Sequence, residues 1–183
     1  MAAAKDCQKV VCAPEVDCKL NPNFANSMDP EFREDESCLR CEALFKKTGK
    51  PLHIRVWNLK HKVLYFMKKE KKLLFEEMLD SDIEVNSQMT QLVLQRYGCE
   101  GGKILIALSV KDESNNYILS CKNNELQFKV GDFPDKVEDK DKDILLWKIP
   151  LPGSENIKFK SFLYSEYYLA CEEKRITEIL VLK

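Results

Sequence analysis

Few residues in this chain have the types and spacing that chemistry requires. The two histidines, His53 and His61, stand beside basic residues and near no nucleophile. No nucleophile elbow, glycine-rich phosphate loop or His-Glu-x-x-His pattern occurs. Glu76 and Glu77 are adjacent, so on a strand they point to opposite faces and cannot act as an acid–base pair. The chain therefore reads as a non-enzyme with no cofactor. Cys38-Leu39-Arg40-Cys41 has CxxC spacing, but no second pair follows to complete four zinc ligands. A redox role would need a strand–helix context that is absent, so these thiols are read as structureless. Asp139, Asp141 and Asp143 begin like a calcium loop. Ile144 then stands where a glycine must turn the chain and Pro150 where a bidentate Glu is needed, so a solvated loop of alternating charge is expected. The Lys68–Lys72 run (KKEKK) is read as a hairpin tip kept soluble by charge rather than as a polyanion site. No metal site is expected.

If no chemistry organises the chain, its strands must. Lys103–Val130 holds short apolar runs parted by polar turns. Ile104, Ile106, Leu108 and Val110 alternate on one face, as do Leu126, Phe128 and Val130, while Asn123-Asn124 tolerates the positive φ of a hairpin turn. The same beat runs from Pro51 onward: Leu52–Trp57, Val63–Met67, Leu73–Met78, Gln91–Tyr97, then after the meander Ile144–Ile149, Asn156–Phe162, Tyr167–Cys171 and Ile179–Leu182. A helix over Leu73–Asp82 is the alternative to a strand there, and Asp80–Gln88 reads as a polar loop. About eleven strands with no strong helical period predict an all-β fold. Periodicity leaves sandwich, barrel and trefoil open.

Residues 1–50 show no sustained period, and Asp29–Glu36 is an acidic, accessible stretch. Such composition predicts a flexible arm that proteases can cut. The first residues lack an apolar signal-peptide core, so synthesis in the cytosol is expected. Five of the eight cysteines, Cys7, Cys12, Cys18, Cys38 and Cys41, lie in this arm, while Cys99, Cys121 and Cys171 are scattered singly. In a reducing cytosol all are expected to be thiols. A formal net charge of −1 gives no reason to expect nucleic acid or membrane insertion.

Several blocks resemble the interleukin-18 branch of the interleukin-1 cytokine family. They are Asn58–Phe66 (NLKHKVLYF), Leu74–Asp82 (LFEEMLDSD), Tyr117–Lys129 (YILSCKNNELQFK), Pro134–Leu145 (PDKVEDKDKDIL) and Phe159–Arg175 (FKSFLYSEYYLACEEKR), in family order. The resemblance implies a β-trefoil of about twelve short strands in three pseudo-repeats. The family's last strand has no counterpart before Lys183, so either the form is a variant or another segment fills that place. It also implies a pro-segment over residues 1–35 and a cytokine domain over 36–183, joined at a caspase site between Asp35 and Glu36. Phe32 then stands at the fourth position before the cut, and Asp29 is disfavoured by Pro30.

The implied partners are two interleukin-18-type receptor chains, a soluble interleukin-18-binding protein and an inflammatory caspase. The implied product is a monomeric pro-inflammatory cytokine that induces interferon-γ. It is cytoplasmic as a precursor and released without a signal peptide. A non-signalling or decoy variant is the alternative implied by the absent strand. Glu76, Asp80 and Asp82 match positions where the family presents acids to receptor. The family's first-strand Arg falls at Trp57, and Arg55 on the same face is the substitute. An acid expected after LACEEKR is replaced by Ile176, and Cys121 and Cys171 match family cysteines that are free thiols.

Overall fold

The computed structural model describes residues 8–11, 44–99, 102–154, 156–175 and 177–183. Asp35, Glu36, the Cys38/Cys41 pair and Ile176 lie outside the described residues. The described chain is nearly all strand. Three hairpins recur along it. The first joins β3 (Val63–Met67) to β4 (Lys72–Glu76), pairing Val63 with Glu76 and Met67 with Lys72. Its tip is the lysine-rich run, and Lys71 adopts φ 51° there. The second joins β7 (Asn116–Lys122) to β8 (Glu125–Val130) through Asn123 and Asn124, with φ of 53° and 59°. Two successive left-handed residues match the twist of a two-residue hairpin, and asparagine tolerates them best after glycine. The third joins β12 (Leu169–Lys174) to β13 (Thr177–Leu182).

Between the hairpins run the longer strands β2 (Phe45–Trp57), β5 (Leu92–Gly98), β6 (Ile104–Lys111), β10 (Leu146–Pro150) and β11 (Ile157–Ser161). The strand path is β11-β10-β6-β5-β2-β3-β4-β13-β12. These eleven strands are those expected from the alternation. Two short strands complete the count: β1 (Gln8–Val11) and β9 (Lys136–Val137), both paired to β2. Ile54 has Leu92 of β5 as one neighbour and Gln8 of β1 as the other, so β1 lies on the edge of β2 away from β5, parallel to Ile54–Trp57. Among the described residues no further strand lies between β11 and β12, where Lys160 makes a single antiparallel bridge with Tyr168. A segment of the N-terminal arm lines the first long strand.

The core has two parts. The larger gathers Ile54, Val56, Leu64, Phe66, Leu108, Leu119, Phe159 and Leu180 among others, inside the curl of the sheet. The smaller lies behind it, around Phe45, Tyr97, Leu105, Ile118, Val137, Ile144 and Phe162. The Tyr97 hydroxyl donates to the Pro134 carbonyl at 2.7 Å, so the buried ring brings its polar end to a partner.

Four expectations need correction. Ile104 is 48% exposed rather than core, while Leu105 and Ala107 on the opposite face are buried. Strand β6 is buried on both faces from Leu105 to Val110, and Ile104 is exposed because it opens the strand. Val130, placed with Leu126 and Phe128, is likewise exposed at its strand end. Strand β2 starts at Phe45 rather than Leu52, because a bulge between Thr48 and Leu52, with Gly49 at φ 67°, breaks the alternation a reader would follow. The Asp139–Ile144 stretch is a 3-10 helix rather than a solvated loop. Its Asp143 is buried, held by Lys129 Nζ at 2.6 Å and by the Ser120 hydroxyl.

Candidate functional site

The polar loop expected at Asp80–Gln88 folds as two short helices, α1 (Asp80–Val85) and α2 (Ser87–Thr90). One buried side chain, Ile83, anchors α1 to the body. Asp80 and Asp82 in its first turn favour the helix dipole, but Leu79 at the N-cap offers no side-chain oxygen to the free amides. The Thr90 hydroxyl donates to the Asn86 carbonyl at 3.2 Å, and the Asn86 amide donates to the Asp82 carbonyl at 2.8 Å, so the helices brace each other.

Arg55 on β2 reaches this element. Its Nη1 lies 3.3 Å from Glu84 Oε1, with the Arg side chain 13% exposed and the Glu side chain 73%. The buried Nε of Arg55 makes no hydrogen bond. Arg55 thus clamps α1 to the sheet and presents little of itself to solvent. Glu76 ends β4, and Glu77 follows; both are exposed, as are Asp80 and Asp82. Among the described residues, none of these four carboxylates forms an ion pair. The structure therefore brings the four residues expected at a receptor face, Glu76, Asp80, Asp82 and Arg55, to one region, but with different exposure. Glu76, Asp80 and Asp82 are open to a partner, whereas Arg55 is largely spent on Glu84.

Sequence reasoning missed a second polar cluster. Glu178 on β13 is buried and accepts hydrogen bonds from Lys60 Nζ and Lys62 Nζ, each at 2.9 Å, and from the Asn58 amide. The Asn58 side-chain oxygen also accepts the backbone amides of Lys60 and Lys62 at 3.0 Å each, which fixes the turn from β2 to β3. Cys171 Sγ donates to the same carboxylate at 3.5 Å. Burial pushes Glu178 up, but the lysine hydrogen bonds outweigh it and hold the carboxyl at about 2. Burial drives the Cys171 thiol up to about 11 and Cys121 up to about 12. Cys121 and Cys171 are free thiols. A lone Asn at a turn carries no sequence signal that it reaches Glu178, 120 residues away.

His53 and His61 are both exposed. Among the described residues no group of three or more His, Cys, Asp or Glu side chains converges as metal ligands would.

A family model described as Interleukin-1 / 18 matches residues 81–183. Human Interleukin-18 is 34% identical over 152 residues, 82% of this chain and 77% of that protein. Pig Interleukin-18 is 35% identical over 176 residues, 93% of this chain and 88% of that protein. The chain belongs to the interleukin-1/interleukin-18 family. Mouse Interleukin-18 is 32% identical, with 69% of this chain matched to 65% of that protein.

Two solved chicken structures agree in fold: an interleukin-1 beta mutant, with TM-score 0.58, and an IL-1 hydrophobic cavity mutant, with TM-score 0.59. Each is 14% identical and matches 76% of this chain, covering 89% and 90% of the respective structures. The fold is thus the β-trefoil of these cytokines. Its three hairpins are β3–β4, β7–β8 and β12–β13, and its wall strands are β2, β5, β6, β10 and β11. Within this family fold, α1 sits on the connection from the first hairpin back to the wall, where loop sequence is free to carry recognition.

Proposed function

We propose that this chain is the precursor of a pro-inflammatory cytokine that an inflammatory caspase activates by cutting between Asp35 and Glu36. The released domain binds a two-chain interleukin-18-type receptor, induces interferon-γ, and is sequestered by a soluble interleukin-18-binding protein. The precursor resides in the cytoplasm and leaves by a route that needs no signal peptide. Family membership supports the class. The observation that carries the binding site is the run of exposed carboxylates Glu76, Asp80 and Asp82 on the β4–α1 segment, without ion-pair partners among the described residues. A surface of one sign steers a basic partner and sets its register. Arg55 acts in this reading mainly by holding Glu84, and so α1, in place.

Cleavage acts on the arm as well. Residues 8–11 precede Asp35, so the cut separates β1 from the chain that carries β2. The edge of Ile54–Trp57 then loses a covalently tethered neighbour.

The test is to treat the full chain with inflammatory caspase and measure binding to both receptor chains. One cut after Asp35 with receptor binding by the product is expected. The absence of any cut, together with no binding by either form, overturns the reading. Cells bearing both receptor chains separate a signalling cytokine from a variant that binds and blocks without a response.

A further inference from the structure

Leu79 and Val85 are the two most exposed large apolar side chains among the described residues, at 72% and 85%. They bracket α1, one at its N-cap and one as its last residue, about 9 Å apart along the axis at the usual rise per residue. Neither is explained by the fold. Ile83 supplies the buried contact of the helix. The N-cap position rewards Ser, Thr, Asp or Asn, and Leu79 satisfies no amide there. Two apolar groups held in water at the ends of one short element gain nothing until something covers them.

What covers them is indicated by their surroundings. Glu76, Glu77, Asp80 and Asp82 are exposed and unpaired among the described residues, and Glu84 has Arg55 alone. A membrane surface, being anionic, is repelled, and so is a second copy of the same face.

We propose that Leu79 and Val85 are the apolar anchors of the receptor-binding face, seated in two apolar sockets within a basic surface of a receptor chain. This rests on the reading that α1 faces the receptor. The acids bring the partner in and orient it. The apolar pair, desolvated at the centre of the contact, holds it.

The experiment uses the caspase-cut chain and soluble ectodomains of an interleukin-18-type receptor, at low and high salt. Leu79→Ser with Val85→Ser is expected to weaken binding by about ten- to a hundredfold at both salt concentrations. Leu79→Ser alone is expected to raise Tm by about 2–4 °C, because serine caps the helix. Opposite signs for stability and affinity separate a binding role from a structural one. The isosteric Val85→Thr is expected to weaken binding without moving Tm. Asp80→Asn with Asp82→Asn is expected to lower affinity chiefly at low salt. If the acid variant loses affinity while the serine variants bind as the parent does, the anchors are refuted and the receptor-facing reading stands. If neither set changes binding, both fall. A loss of stability that tracks the loss of affinity also overturns the anchors.

Discussion

Glu178 shows how a single side chain ties distant parts of this fold together. Its carboxylate lies between the β2–β3 turn and the last hairpin, and the lysines that meet it hold it at about 2, below an ordinary value of 4.5. A carboxyl whose folded value is depressed adds stability above its unfolded value and loses it as pH falls toward the folded one. Unfolding free energy, followed by urea midpoint, should therefore decline between about pH 4.5 and 2. The decline should be shallower in Glu178→Gln. Glu178→Ala should also cost about 1–3 kcal/mol at neutral pH, because the buried Asn58 amide loses its acceptor. Phe66 is fully buried and touches both Tyr117 and Phe128, with ring centroids 5.5 Å away in each case. Phe66→Ala should cost about 3–5 kcal/mol in the same assay. Leu126 and Phe128 were legible as core-facing from alternation alone. Ile104 was not, because its exposure comes from its place at the strand end and not from its face, and Glu178 was not, because its partners are far away in sequence.

At the scale of elements, hairpins were the most legible feature. KKEKK between two apolar runs, or Asn-Asn between two others, states both a turn and its solvent exposure. Helix α1 was hidden for the opposite reason: with one buried side chain it has no 3.6-residue period to read, and its N-cap is a leucine. The signal available was three apolar residues in an otherwise polar loop, Leu79, Ile83 and Val85. The start of β2 was concealed by its bulge. Strand β1 was invisible because four residues in an aperiodic arm give no pattern, yet they pair in parallel with Ile54–Trp57. Caspase treatment should accordingly speed amide exchange within Ile54–Trp57 relative to the uncut chain, as seen by hydrogen–deuterium exchange. Unchanged exchange would mean that β1 stays docked after the cut.

For the molecule as a whole, the family blocks located the trefoil that periodicity could not choose among all-β folds. They also located the acidic segment, whose residues the structure places together with Arg55. They could not show that Arg55 would be covered, since exposure depends on Glu84 reaching back across α1 to the sheet. On the proposed function, a scaffold of strands holds one short acidic helix toward a receptor, and an arm ending at Asp35 keeps the chain in precursor form. Asp35→Ala should leave the precursor uncut under conditions that process the parent, checked by mass spectrometry for a fragment beginning at Glu36. The most direct test compares receptor binding by the full chain and the caspase-cut chain in the parent and in Asp80→Asn with Asp82→Asn. Tighter binding is expected after the cut, with affinity falling as salt rises and falling about tenfold in the double variant at low salt. Equal binding before and after the cut, or a double variant that binds like the parent, would contradict it.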